Sequence, residues 1–322
     1  MGEIAKREIP VSIPLLTIFP LHYLRTFFNE GQHVSFFTLT GGALNGLLLG
    51  GLYAITALGF SMIFGVMGLM NVVHGELLVL GAYLCLFISR ALGIDPFLAT
   101  LMVAVVLFAL GYLLQLSVFN PVMERGLEPA LLSAFGLSII AQSLFLFYWT
   151  TNTRSINTAY SQVGLKVLGI HLPIMYLISF GLALVLIAGV HLFMTRTYLG
   201  KAIRAATQDP NTAQVMGVNV KRVYAFTYGL AAAIAALGGT LIGMVFSFVP
   251  SSGIPWMTKG FVIVVLGGMG SIVGTLAGAL LLGVFEGIGG AVMGTGYRDL
   301  IGLVIVLVVL VARPAGLFGR AR

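Results

Sequence analysis

The fold turns on the stretch RTYLGKAIRAATQDPNTAQVMGVNVKRVY, running from Arg196 to Tyr224. It is the longest polar interruption in the second half of an otherwise apolar chain. It carries Arg196, Lys201, Arg204, Lys221 and Arg222 against a single acid, Asp209. A basic cluster between apolar runs marks the cytoplasmic side of a membrane. The middle of the stretch also contains a helix start and stop. Asp209 is a good N-cap, because its carboxylate can accept a backbone N–H bond from the first turn. Pro210 follows at the first helical position, where its missing N–H costs nothing. Gly217 can close the helix in a left-handed conformation. About two turns are too few to persist alone in water, so the helix must dock on something. Its apolar side chains are Ala213, Val215 and Met216. The plain reading is a turn between two spans; the functional reading is a docking helix for a cytoplasmic partner.

Outward from this stretch the chain is strongly apolar. It has 322 residues, 59% hydrophobic and only 8% charged, with mean hydropathy +1.05. Soluble domains carry about a quarter charged residues. The sequence therefore predicts an all-α polytopic membrane protein. Apolar runs lie at roughly 41–66, 72–89, 96–118, 130–150, 173–195, 223–248, 258–290 and 298–312. At about 20 residues per crossing, each of the first six can span a bilayer. The chain divides into an N-terminal extension, 1–40, and one membrane domain, 41–322, whose 196–222 loop is cytoplasmic. Lys6 and Arg7 precede an apolar run as in a signal sequence. That run is broken by Pro10, Pro14 and Pro20 and lacks a small-residue cleavage site. The net charge of +7 sits mainly in loops and termini, which is a topology signal and not a nucleic-acid footprint. Between residues 151 and 172, QVGLKVLGIHL alternates in part and predicts a small extracytoplasmic hairpin.

The parity of crossings adds one inference. The tail at 313–322 carries Arg313, Arg320 and Arg322, so it belongs on the same side as 196–222. Three single crossings cannot join two cytoplasmic segments. The run at 258–290 therefore reads as two short or re-entrant pieces hinged at Gly267–Ser271, where glycines make a break cheap. This gives eight or nine transmembrane or re-entrant segments and puts residue 41 outside, unless the N-terminal extension itself dips into the membrane. A weak internal repeat supports the hinge. FGVMGLMNVVHGELLVLGAY (64–83) and LGGMGSIVGTLAGALLLGVF (266–285) share Gly65/Gly267, Met67/Met269, Gly68/Gly270 and Gly81/Gly283 at one offset. In transporters such paired interruptions mark the substrate path, which makes Gly267, Gly268, Gly270 and Ser271 candidates for it.

Ionisable groups inside a membrane are expensive and default to function. Asn71, His74 and Glu76 in MNVVHGELL, and Glu286 near the end of the later repeat unit, are the candidates for the translocation path. The alternative is that they hydrogen-bond across helices or cap the break at Gly65–Gly68. Several chemistries are absent from the sequence. It has no G-x-x-x-x-G-K-[ST] loop to cradle ATP phosphates. It has no HExxH, no Gly-x-Ser-x-Gly elbow, and a single cysteine, Cys85, which rules out an intramolecular disulfide or a cysteine metal cluster. Neither an enzyme nor a metal site is expected.

Four stretches carry a resemblance: GLYAITALGFSMIFGVMGLMNVVHGELLVLGAY (51–83), LGKAIRAATQDPNTAQVMGVNVKRV (199–223), VVLGGMGSIVGTLAGALLLG (264–283) and ARPAGLFG (312–319). In this order and spacing the chain resembles the permeases of branched-chain amino acid ABC importers, in particular the high-affinity H-type subunit. The resemblance covers nearly everything from residue 41 onward. It implies a second, paralogous permease, two cytoplasmic ATPases that bind the ATP, an extracytoplasmic solute-binding protein, and a multi-pass location in the cytoplasmic (inner) membrane of a prokaryote. No cofactor of the chain's own is implied. Arg204, Asp209, Pro210, Ala213, Met216 and Gly217 then become the residues that couple it to an ATPase. The sequence departs from the family at Gln208, where an acid is usual, and at Val72 and Val73, where Phe-Ala is frequent. Permeases for urea and short-chain amides share much of the pattern. The rivals outside the ABC class are an ion-coupled secondary transporter and a channel.

Overall fold

The computed structural model describes residues 36–161, 163–167, 169–313 and 316–318. Up to residue 35 the N-terminal extension lies outside the described residues, as does most of the tail. The described chain is helical apart from one hairpin. Its helices are α1 (Phe36–Met67), α2 (Val73–Leu92), α3 (Pro96–Met123), α4 (Leu127–Trp149), α5 (Ile174–Arg196), α6 (Tyr198–Gln208), α7 (Pro210–Val215), α8 (Val220–Val245), α9 (Gly253–Gly267), α10 (Ile272–Met293) and α11 (Arg298–Ala312). Eight helical segments among the described residues are long and apolar enough to cross a membrane. The chain is a multi-pass membrane protein.

The centre is built from α1 and α8, which are buried along most of their length, whereas α4, α5 and α11 leave apolar side chains exposed. Such exposure is what lipid requires of an outer layer. Close helix approach at the centre depends on small residues. Gly42, Gly46 and Gly50 on α1 face Gly287, Gly283 and Ala279 on α10. A Cβ at Gly42 would stand 2.8 Å from the Gly287 carbonyl, and one at Gly50 2.8 Å from that of Ala279. Sparse hydroxyl bonds pin the bundle: Thr275 to Ser61 at 2.7 Å and Thr100 to Thr240 at 2.9 Å. The first joins α10 to α1, the second α3 to α8.

The hairpin forms where the alternation predicts it. Strands β1 (Gly164–Val167) and β2 (Ile170–Pro173) pair antiparallel. Asn45 Nδ2 donates to the His171 carbonyl at 3.1 Å, which sets the start of α1 at the hairpin end of the bundle. The 151–161 segment is tied to the α8–α9 connection by a two-way bridge between Arg154 and Phe248. There Tyr160 donates to Asp95 at 2.8 Å. Burial and that carboxylate push the Tyr160 hydroxyl up to about 12.

The break in the 258–290 run is present, with α9 ending at Gly267 and α10 starting at Ile272. Ser271 caps α10 by accepting from Gly274 N at 3.0 Å. Gly68 and Gly270, matched in the repeat, both take positive φ, +65° and +81°. The two turns also touch: a Cβ on Gly65 would lie 2.8 Å from Gly270 Cα. The tail closes the end of α9, with Leu317 N donating to Leu266 O and Phe318 N to Gly267 O. Two boundaries differ from the sequence reading. The first piece starts at Gly253, not 258, because the apolar count dilutes across Pro255 and Lys259. The 196–222 loop holds two helices, and α8 already begins inside it.

Candidate functional site

At the end of the bundle away from the hairpin, α5 hands the chain to α6 and α7. Thr197 caps α6 by accepting from Gly200 N at 3.0 Å. Ala202, Ile203 and Ala206 are buried on one face, while Lys201 and Arg204 are exposed on the other. Asp209 ends α6 and starts α7. Its Oδ1 accepts from Asn211 N at 2.9 Å and Thr212 N at 3.2 Å, and its Oδ2 accepts from the Thr212 hydroxyl. The Thr212 hydroxyl and then the backbone amides hold the Asp209 carboxyl below its ordinary value. The far end closes in a full Schellman motif. Gly217 N donates to Gln214 O and Val218 N to Ala213 O, with Gly217 at φ +87°. Ala213 is buried where α7 packs on α6 and α8. Val215 and Met216 stand 86% and 79% exposed, an apolar tip with no partner surface among the described residues. Pro210 lies exposed at the first turn.

The polar residues at the start of α2 and in the turn just before it sit deep in the bundle. Asn71 donates to the Tyr228 hydroxyl at 2.9 Å and accepts from Val73 N at 3.2 Å. His74 Nε2 lies 3.0 Å from the Thr56 carbonyl. A carbonyl only accepts, so Nε2 carries a proton, and Nδ1 has no partner among the described residues. Glu76 Oε1 accepts from Ser138 at 3.3 Å, and its Oε2 has no partner among the described residues. Gly59 and Gly253 make the room, since a Cβ on either would stand 2.6 Å from His74 Cε1 or Glu76 Oε1. These three residues join α2 to α1, α4 and α8. A well-formed cavity lies elsewhere, and they do not line it.

That cavity, of about 620 Å³, lies between α9, α10 and α11 and is walled in part by Tyr53 of α1. Glu286 lines it, as do Lys259, Asp299 and Arg298. Lys259 Nζ is 3.1 Å from Glu286 Oε2, 2.8 Å from Asp299 Oδ1 and 4.6 Å above the Tyr53 ring. Tyr53 donates to Glu286 at 2.6 Å. Gly267, Gly268, Gly270 and Ser271 lie in the turn that packs against Gly65, away from this cavity. Of the residues suggested for the path, only Glu286 meets it. Lys259 and Asp299 were missed, although the signal was present: a lone cation in an apolar run is as costly as a lone acid. Among the described residues no three His, Cys, Asp or Glu converge on a metal-sized site.

With this geometry in place, the comparison with known proteins is decisive. Residues 42–312 match the family described as the branched-chain amino acid transport system / permease component. The chain belongs to this family. Among its relatives is the high-affinity branched-chain amino acid transport system permease protein BraD of Pseudomonas aeruginosa. The two are 31% identical over 293 residues, 86% of this chain and 94% of the relative. The corresponding protein LivH of Escherichia coli K12 is 32% identical over 302 residues, again 86% and 94%. A probable LivH permease of Methanocaldococcus jannaschii is 25% identical over 292 residues, 85% of this chain and 90% of that one. No solved structure matches the chain. As a member of this permease family the chain is a transport subunit, and α7 and the Lys259 cavity are the two features of it that need a role.

Proposed function

We propose that this chain forms the transmembrane path of an ABC importer for branched-chain or related amino acids. It works in the cytoplasmic membrane of a prokaryote beside a second permease, two ATPases and an extracytoplasmic solute-binding protein. The observation that carries the proposal is the match over residues 42–312, shared with relatives named as branched-chain amino acid permeases. ATP is bound by the ATPases, and this chain needs no cofactor of its own. Their closure is felt at α7, whose exposed Val215 and Met216 supply the docking tip, with Arg204 beside it and Asp209, Pro210, Ala213 and Gly217 fixing its shape. A helix of one and a half turns held at both ends moves as a rigid tooth, and its neighbours α6 and α8 pass that motion to the spans. Both ends of the bundle are then exposed in turn.

The test is uptake into vesicles holding the complete transporter, with ATP enclosed in the compartment that faces α7. L-leucine uptake should require ATP hydrolysis and binding protein and should survive collapse of every ion gradient. Uptake driven by an ion gradient without the ATPases would make the chain a secondary transporter, and flux without any energy source would make it a channel. Uptake of urea or a short-chain amide in place of leucine would keep the ABC class and replace the solute.

A further inference from the structure

We propose that the cavity between α9, α10 and α11 is a zwitterion site on the solute path. Lys259 takes the carboxylate of an amino acid, and Asp299 with Glu286 takes its ammonium. The apolar wall made by Phe246, Trp256 and Leu303 receives an aliphatic side chain. The site rests on the amino-acid import reading and gives that reading its contact residues.

Four observations converge on it. The cavity volume, about 620 Å³, falls inside the range of roughly 300–1,000 Å³ typical of small-molecule sites. Its walls include the α8–α9 connection, at Phe246 and Ser247, and the α10–α11 connection, at Thr295. The Arg154–Phe248 bridge puts the first of these at the hairpin end, where solute would arrive. The charges exceed what packing needs. One acid matches the charge of a half-buried cation, yet Lys259 faces two. Glu286 is fixed, with its side chain 2% exposed and held by Tyr53; the Asp299 side chain is 79% exposed. Asp299 can therefore leave Lys259 without becoming a buried unpaired charge, which frees one face of the ammonium for a carboxylate.

The balance of the site selects a zwitterion. Lys259 and Arg298 oppose Glu286 and Asp299 around the cavity, so its formal charge sums to zero. An amino acid adds one charge of each sign, and every group can keep a partner. A bare amine or a bare carboxylic acid would add one charge that the site cannot match, at the cost of burying it unpaired. The Tyr53 ring under Lys259 holds the ammonium in place by a cation–π contact while its carboxylate partner exchanges.

The experiment uses the complete transporter in right-side-out vesicles, with Cys85→Ala and Ser247→Cys in this chain. Ser247 lines the cavity and is exposed, so an impermeant methanethiosulfonate added outside should modify it. Saturating L-leucine should slow that modification, whereas isoamylamine and 4-methylpentanoate, each lacking one charged group, should not. Lys259→Met should remove protection by leucine and lower leucine uptake by roughly tenfold or more, the scale of losing a hydrogen bond to a charged group. Because Lys259→Met leaves Glu286 unpaired, Lys259→Met with Glu286→Gln is the companion variant. A merely structural pair would be replaced without harm, so wild-type uptake by that double variant would overturn the site. Protection by amine or acid as strong as by leucine would also overturn it, as would ATP-driven leucine uptake with no leucine protection at Ser247→Cys. Protection by a different amino acid, with no leucine uptake by wild type, would support the zwitterion site and correct the solute under the function proposed above.

Discussion

Replacing Gly217 with valine isolates the role of α7. Gly217 sits at φ +87°, and a Cβ built on it meets nothing within 4 Å. The substitution therefore has no steric cost in the folded chain beyond its own backbone. Left-handed conformation costs an L-residue about 1–2 kcal/mol, more at the upper end for a β-branched side chain. That corresponds to roughly a 5- to 30-fold loss in the population of closed α7. Because a helix of six residues has no stability of its own, the loss appears as a weaker docking surface. No membrane span is touched, so insertion and expression should match wild type. Capture of the ATPase by tagged chain in detergent should fall, and so should ATP hydrolysis stimulated by loaded binding protein. Asp209→Ala should act in the same direction by removing the cap, whereas Asp209→Asn should be tolerated, since asparagine caps as well as aspartate. Unchanged capture together with unchanged stimulated hydrolysis in Gly217→Val would reduce α7 to a turn.

Three further expectations follow from the spans and their connections. Gly46→Leu should destabilise the α1–α10 contact by the ~1–3 kcal/mol typical of overpacking or more, because its Cβ would overlap the Gly283 carbonyl; a wild-type melting temperature in detergent would contradict the small-residue seam. Glu76→Gln should fold and transport as wild type, since Glu76 meets Ser138 and lies off the cavity lining; selective loss of uptake from folded complex would return Glu76 to the route. The Tyr160–Asp95 tie has a defined pH window. The hydroxyl is raised from 10.0 to about 12 in the folded chain, so its contribution is complete below pH 10 and lost as pH rises through about 12. The stability difference between wild type and Tyr160→Phe should hold from pH 8 to about 10 and close by about 12; a difference that grows with pH would reverse the sign.

The fold was largely legible because its signals are local. Apolar runs of span length, the caps at Asp209 and Gly217, and the alternation before Pro173 each depend on near neighbours in sequence. The break after Gly267 was legible for a different reason: two arginine-rich segments had to share a side. What escaped was tertiary. Nothing near Lys259 in sequence announces Glu286 or Asp299, which reach it only because α9, α10 and α11 reverse direction twice. His74 and Glu76 looked like path residues because an intramembrane charge is rare. Glu76 is accommodated by Ser138 and by the missing side chain at Gly253, both far away in the chain. The α6 helix carries a local signal too, since Ala202, Ile203 and Ala206 repeat at helical spacing opposite the exposed Lys201 and Arg204.

The most direct measurement is cross-linking from α7 itself. With Cys85→Ala as background, Met216→Cys places a thiol on the exposed tip, and Lys166→Cys places one on the hairpin at the opposite end of α5. A maleimide–benzophenone reagent, attached to the thiol through its maleimide and then photoactivated in the complete transporter, should join Met216→Cys to an ATPase subunit and Lys166→Cys to none. An ATPase adduct from Lys166→Cys, or none from Met216→Cys in a transporter that still hydrolyses ATP, would contradict the assignment of α7 as the coupling element.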